Sequence, residues 1–181
     1  MANRRLIEIS KLLSLILRHK PEQFGILLDA EGYAPIVDVL AAVRTRLADV
    51  SESDLTLVIE TIEPDKRRFS MVDSDIRANY GHSLSDRIAH EAQVPPSVLW
   101  HGTHEAAVQS ILTNGLHPMR RQYVHLTTNV ELAKRVGARR GTVRLLEVDS
   151  ASAHAEGVVF YRANDAFWLA DLVPGRFVRS E

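Results

Sequence analysis

The sequence predicts an α+β chain in two lobes, an N-terminal winged helix over roughly residues 1 to 75 and a C-terminal lobe built on small antiparallel sheets with short helices. Three observations carry this prediction. Before residue 64 the apolar residues recur three times at helical spacing. A short alternating run with a turn follows them. After residue 97 come five brief strand-like runs with two helical patterns between them.

In the first lobe, Leu6, Ile9, Leu13, Ile16 and Leu17 lie on one face of a helix that Pro21 and Gly25 stop. "ILLD" and "GYA" bracket a turn at Glu31-Gly32. Pro35 occupies a first helical turn, and Ile36, Val39, Leu40, Val43 and Leu47 continue a second helix. "SESD", Ser51 to Asp54, is a helix-start signal, followed by Leu55, Val58, Ile59 and Ile62 up to Pro64. "RRFSMV" alternates as a strand does, and "DSD" closes it.

In the second lobe, "SVLWHG", "YVHLTT", "TVRLLEVD", "GVVFY" and "FWLADLV" are the strand-like runs, with helices near 105–113 and 130–136. Thr103 or His104 caps the first of these helices, and Gly115 ends it. "HEAQVPPS" reads as a connector stiffened by Pro95-Pro96, which divides the chain into 1–94 and 95–181.

The chain has 181 residues, 45% of them hydrophobic, enough for an ordinary core. No window approaches the roughly 18 to 20 apolar residues of a membrane span, and Glu8 and Lys11 interrupt the N-terminal apolar pattern, so a cytoplasmic protein without membrane contact is expected. With no cysteine, disulfides, thiolate metal sites and thiol nucleophiles are excluded. Eight histidines remain as candidate metal ligands, but there is no His-Glu-x-x-His. The closest pair, His101 and His104, has no carboxylate cluster in register, so no metal is expected. Serine-hydrolase and P-loop signatures are also absent from the sequence.

Net charge is −1, yet the charges are unevenly placed. Residues 22–65 carry ten acids against Arg44 and Arg46. Residues 115–144 carry Arg120, Arg121, Lys134, Arg135, Arg139, Arg140 and Arg144 against Glu131 alone. A polyanion is therefore expected to meet the second half of the chain, with selected help from the first. Only four of the 22 Lys plus Arg are lysine, a bias that suits bidentate phosphate binding and equally suits an alanine- and arginine-rich base composition.

Four places combine polar chemistry with tight local structure: Arg18-His19, "RRF" at 67–69, "IRANYGHS" at 76–83, and the set "WHGT", "MRRQYVHLTT" and "GARRG". Arg18 and His19 complement the negative end of a helix dipole or hold an anion. Arg67 and Arg68 are solvated hairpin positions or phosphate contacts. In "LWHGT" the strand ends in a tight turn, where Gly102 lets a flat or anionic ligand approach the backbone beside His101 and Thr103. By the two-residue period, Tyr123, His125 and Thr127 share one strand face and Val124 and Leu126 the other.

Taken in order, "LSLILRH", "RRF", "IRANYGHS", "LWHGT", "GLHPMRRQYVHLT" and "VFYRANDAFWLADLVP" resemble the tRNA 2′-phosphotransferase family from residue 6 to residue 178. The resemblance implies an N-terminal winged-helix RNA lobe and a C-terminal lobe of the NAD-dependent ADP-ribosyltransferase fold. It also implies a transferase reaction in two steps. The 2′-phosphate of an RNA splice junction attacks C1″ of the NAD ribose and expels nicotinamide. O2″ then attacks phosphorus, releasing ADP-ribose 1″,2″-cyclic phosphate and an RNA with a free 2′-hydroxyl.

The family's functional set falls on Arg18, His19, Arg68 and Arg121. Arg68 is chosen because it precedes Phe69, and Arg121 because it lies two residues after Met119. Arg67, Arg77 and His82 are expected to help hold RNA phosphate. His101, Gly102, Thr103, His125, Thr127, Gly137 and Arg139 are expected to hold NAD, which is consumed as a co-substrate; the partners are NAD and 2′-phosphorylated RNA, and a monomer is expected. Three guanidiniums orient a phosphate dianion and balance charge building on phosphorus, and an imidazole with an ordinary pKa near neutrality can stabilise or move a proton.

The chain departs from the family pattern at Tyr80, where a glutamine is usual, at Tyr123, where a histidine is common, and at Phe167, in an aliphatic position. No glutamate stands where protein-modifying relatives of the fold activate their acceptor, which favours an acceptor that is already nucleophilic. Two alternatives remain: an ADP-ribosyltransferase acting on nucleic-acid phosphate ends, and a winged-helix nucleic-acid-binding module without enzymatic activity. The second is opposed by the third helix, since residues 51–63 hold Glu52, Asp54, Glu60 and Glu63 with no Lys or Arg.

Overall fold

The apolar stripe near the N-terminus forms helix α1, Ala2–Arg18, and buries Ile9, Leu13, Ile16 and Leu17 completely. The computed structural model describes residues 2–60, 67–138 and 141–181. These divide into two compact units, Met1–Ala89 and His90–Glu181. Both mix helices with small antiparallel sheets. Among the described residues no helix is long and apolar enough to cross a membrane.

After α1 the chain makes a 3-10 turn, Pro21–Phe24, which Gly25 closes at φ 68°. Asp29 then accepts the amides of Glu31 (3.0 Å) and Tyr33 (2.8 Å), folding the expected turn around Gly32 at φ 83°. Strand β1, Tyr33–Pro35, leads directly into α2, Ile36–Arg44, so Pro35 precedes the helix rather than standing in its first turn. Leu47, read as part of this helix, lies beyond its end and still packs on the core.

Helix α3, Glu52–Glu60, begins with a reciprocal cap. Ser51 Oγ accepts the Asp54 amide at 3.2 Å, while Asp54 Oδ2 accepts the Ser51 amide at 2.8 Å and the Ser51 hydroxyl at 2.7 Å, and these two donors hold the Asp54 carboxyl below its usual range. Ile62, expected in the same helix, falls outside the described residues. Strands β2, Phe69–Val72, and β3, Asp75–Ala78, form the expected hairpin, with Asp73 at φ 51° in its turn. The sheet order is β1-β3-β2, all antiparallel, and Ala34, Phe69, Ile76 and Ala78 turn inward against α1, α2 and α3.

The second unit holds β4, Val98–His104; α4, Glu105–Asn114; β5, Val124–Thr127; α5, Val130–Gly137; and β6, Val143–Asp149. It continues with α6, Ser150–Ala155; β7, Phe160–Arg162; β8, Phe167–Ala170; and β9, Val178–Ser180. Its antiparallel sheet runs β7-β8-β5-β4-β6-β9. Leu99, Val124, Leu126, Leu146, Val148, Trp168 and Ala170 face one core with α4 packed against it. Helix α6 and strand β9 are short elements that the sequence pattern does not announce.

Residues 90–97, read as a connector, are stitched to this second unit. The Gln93 amide donates to the Phe160 carbonyl at 2.9 Å, and the Pro96 carbonyl accepts the Ser150 hydroxyl at 2.6 Å.

"WHGT" corrects the reading of Gly102. The strand does not end there: His101, Gly102 and Thr103 lie inside β4, paired with Leu146, Leu145 and Arg144 of β6. A Cβ on Gly102 would stand 1.7 Å from the Ala133 carbonyl oxygen, and one on Gly137 would stand 2.8 Å from the Thr103 carbonyl oxygen. The missing side chains let the backbone of α5 lie against β4, so no ligand is needed to explain either glycine. His104 rather than Thr103 takes the N-cap position of α4, with no side-chain capping bond.

Because backbone cannot give way as a flexible side chain does, Gly102→Ala should destabilise the protein by about 3 kcal/mol. Chemical denaturation measures this, and an unchanged midpoint would contradict the packing role.

Candidate functional site

The C-terminal end of α1 is where the first unit gathers its polar chemistry. Arg18 is the last helical residue and is only 8% exposed. Its Nη2 donates to the Arg68 carbonyl at 3.1 Å, and its guanidinium carbon stands 5.3 Å from the Phe69 ring centre and 4.9 Å from that of Tyr80. The Arg18 carbonyl accepts the Ser83 amide at 3.0 Å, and Ser83 Oγ lies 2.8 Å from His19 Nδ1. Helix end, start of β2 and the loop after β3 are thus joined around Arg18 and His19.

The loop itself is tightly held. The Asn79 amide donates to the Arg68 carbonyl at 2.9 Å, its side-chain amide donates to the Arg67 carbonyl at 3.2 Å, and its Oδ1 accepts the Ser70 hydroxyl at 2.6 Å. Arg68 shares its carbonyl between Arg18 and Asn79 while its own side chain is exposed. Arg18, His19, Arg67 and Arg68 are therefore brought together in sequence-distant segments, and Arg68 can reach an anion in solution.

Two other expected phosphate contacts, Arg77 and His82, lie against Tyr33 and the turn at Gly32. Arg77 lies over the Tyr33 ring at 4.6 Å, with a long 3.5 Å contact to the Glu31 carbonyl. His82 is 2% exposed, and its Nε2 lies 3.6 Å from where a Cβ on Gly32 would stand. His82 is thus packed beneath that turn, at a depth where a histidine often serves packing.

In the second unit, His101 Nδ1 lies 2.9 Å from the His125 carbonyl oxygen. A carbonyl can only accept, so Nδ1 carries the proton and Nε2 is an acceptor. Burial pushes the His101 imidazole below its ordinary pKa, partly opposed by that hydrogen bond, which keeps the ring neutral near pH 7. Thr127 pairs with Trp100, so by the strand period it shares a face with Trp100 and Gly102 and not with His101 and Thr103. Its Oγ1 accepts the Asn129 amide at 3.1 Å, leading into α5, and His125 Nδ1 meets the Tyr123 carbonyl at 3.0 Å.

Arg121 is exposed and closes a turn in which its amide donates to the Pro118 carbonyl at 2.9 Å. Met119 within that turn holds φ 54°, an uncommon conformation for a residue with a side chain. Arg139 lies outside the described residues. Among the described residues no group of three or more His, Asp or Glu is placed to hold a metal ion.

Sequence reasoning missed Phe69 and Asn79 as parts of the site, and also Ser83. Their signal was present in "RRF" and in the compact polar string "IRANYGHS", but which of its side chains face Arg18 is tertiary information.

The family model described as "RNA 2'-phosphotransferase, Tpt1 / KptA family" matches residues 4–172. Three similar proteins each carry the name "Probable RNA 2'-phosphotransferase". That of Acetivibrio thermocellus is 44% identical over 177 residues, 96% of each chain. That of Rhizobium rhizogenes is 43% identical over 172 residues, 94% of this chain and 91% of the relative. That of Nostoc punctiforme is 35% identical over 179 residues, 99% of each.

The His101 environment makes a pH prediction. An NMR titration of its imidazole should show a midpoint below 6.5. Because the unfolded chain then takes up the proton first, His101 should reduce stability progressively as pH falls below about 6.5, and His101→Gln should remove that part of the slope. A midpoint above 6.5 would mean that the ring is not desolvated.

Proposed function

Because this chain belongs to the RNA 2′-phosphotransferase, Tpt1 / KptA family, we propose that it is a transferase that removes an internal 2′-phosphate from RNA with NAD as co-substrate. The observation that carries this reading is the cluster at the end of α1: Arg18 held by the Arg68 carbonyl and two rings, with His19 and Arg68 beside it. Arg121, exposed on its turn in the second unit, completes the functional set that the family resemblance assigns.

In this reading the first unit is the winged-helix RNA lobe. Its element order α1-β1-α2-α3-β2-β3 and its three-stranded antiparallel sheet support that description. The second unit is the ADP-ribosyltransferase-like NAD lobe, supported by its six-stranded antiparallel sheet. His101 suits a sugar: a neutral ring with Nε2 as acceptor takes a hydrogen bond from a ribose hydroxyl without bringing a charge. Thr103 adds a hydroxyl on the same strand face.

NAD supplies an electrophilic ribose carbon with nicotinamide as its leaving group. The chain's task is then positioning and charge. Guanidiniums of Arg18, Arg68 and Arg121 orient the RNA 2′-phosphate as nucleophile, which needs no general base because the dianion is already deprotonated. The same forks stabilise charge on phosphorus when the ADP-ribosylated phosphate is released as the cyclic product. His19, oriented by Ser83, stabilises that second transition state or moves its proton.

Incubation with NAD and a 2′-phosphorylated oligoribonucleotide should give phosphate loss and nicotinamide release in step; a stable ADP-ribosylated end without cyclic phosphate would overturn the reading. Arg68→Ala and Arg121→Ala should each lower the rate about a hundredfold or more, ~3 kcal/mol of transition-state stabilisation. Both side chains are exposed, so folding should survive. His19→Ala should accumulate ADP-ribosylated RNA in single-turnover assays, and slow nicotinamide release without accumulation would move its role to the first step.

A further inference from the structure

Arg18 is a long side chain with many rotamers, yet it sits 8% exposed in one place. One edge of its guanidinium is taken by the Arg68 carbonyl at 3.1 Å. Two rings lie within cation–π reach, Phe69 at 5.3 Å and Tyr80 at 4.9 Å. Phe69 is fully buried on β2, so its ring is part of the core. Tyr80 is different. It is half-buried in the loop after β3, outside any strand.

The loop is fixed on both sides of Tyr80. Asn79 is tied before it to the carbonyls of Arg67 and Arg68, and Ser83 is tied after it to the Arg18 carbonyl at 3.0 Å. Gly81, at φ 91°, makes the turn between these anchors. Tyr80 therefore presents its ring to Arg18 from backbone that is itself bonded to Arg18 and to Arg68. Stacking uses the face of a guanidinium and leaves its edge for hydrogen bonds, so a ring on the face sets the plane in which the edge donors meet an anion.

We propose that Tyr80 is a positioning residue whose ring fixes the plane of the Arg18 guanidinium before the RNA phosphate arrives. The inference rests on the reading of Arg18 as a phosphate contact. It gives Tyr80, through its ring and not its hydroxyl, a part in RNA affinity that the NAD side does not share. An unpositioned guanidinium must be ordered during binding, and that cost falls on the affinity for the phosphate.

Tyr80→Ala, Tyr80→Phe and Tyr80→Gln test this with two readouts. The first is the pair of KM values, for a 2′-phosphorylated oligoribonucleotide and for NAD. The second is the Arg18 Nε–H resonance in the protein without substrate, which a nearby ring shifts. Tyr80→Ala should raise KM for the RNA about tenfold, leave KM for NAD unchanged and move the Arg18 resonance. Tyr80→Phe should restore both to wild type. Tyr80→Gln, lacking a ring, should behave as Tyr80→Ala does at the resonance.

An unmoved Arg18 resonance in Tyr80→Ala, equal rises in both KM values, or a Tyr80→Phe variant as impaired as Tyr80→Ala would each overturn the proposal. Wild-type protein that fails to release phosphate would instead refute the functional reading, and the resonance would still report on whether Tyr80 holds Arg18.

Discussion

A guanidinium taken out of water has to be met by acceptors at its edge and by polarisable surface on its faces, or the helix that carries it will not pack. The end of α1 is arranged around that requirement. The apolar stripe draws α1 into the core, and Arg18 follows Leu17 into a place where only 8% of it remains exposed. Around it stand the Arg68 carbonyl, Phe69 and Tyr80, which come from two segments more than forty residues away in sequence. Burying Arg18 thus sets the start of β2 and the loop after β3 against the helix end. Arg68 and His19 are placed as a consequence, one by its shared carbonyl and the other through Ser83.

The second unit depends on a different constraint, close approach of backbone to backbone. Helix α5 lies against β4 at a distance that no side chain at Gly102 or Gly137 would permit. That packing occupies one face of β4 and leaves His101 and Thr103 on the other, with the Leu126 and Leu146 core. A largely desolvated, singly protonated His101 follows, since its half-buried ring packs there and finds its acceptor in the neighbouring strand. In the first unit a buried charge organises the polar groups; in the second, the lack of two side chains does.

Elements were legible in the sequence wherever one face is apolar and one is wet. The apolar faces of α1, α2 and α3 and the Ser51–Asp54 cap appear where the sequence pattern puts them, apart from Leu47 beyond the end of α2 and Ile62 outside the described residues, because each is a local consequence of burial. Residues whose meaning depends on a distant partner were not. Glycine in a strand reads the same whether a ligand or a helix approaches it, and only α5 decides for Gly102. A histidine beside Gly81 reads as a polar loop residue until the turn at Gly32 is folded over it. Helix α6 is six residues long, too short for a period, and is marked only by the Asp149–Ser152 cap.

Charge placement limits what the first unit can do with a nucleic acid. Helix α3 carries Glu52, Asp54 and Glu60 and no basic residue, so the surface that would repel a phosphate backbone is a whole helix long. At the end of α1, Arg18 is buried against its rings, and Arg68 is tied beside it through its carbonyl. A track along a polyanion needs many mobile charges spread over a surface, and its affinity comes from releasing counterions. One phosphate needs a small number of forks held at set angles. On the proposed reading the end of α1 has the second character, so the discrimination it offers lies in the geometry of a single group rather than in the sequence or length of the strand that bears it.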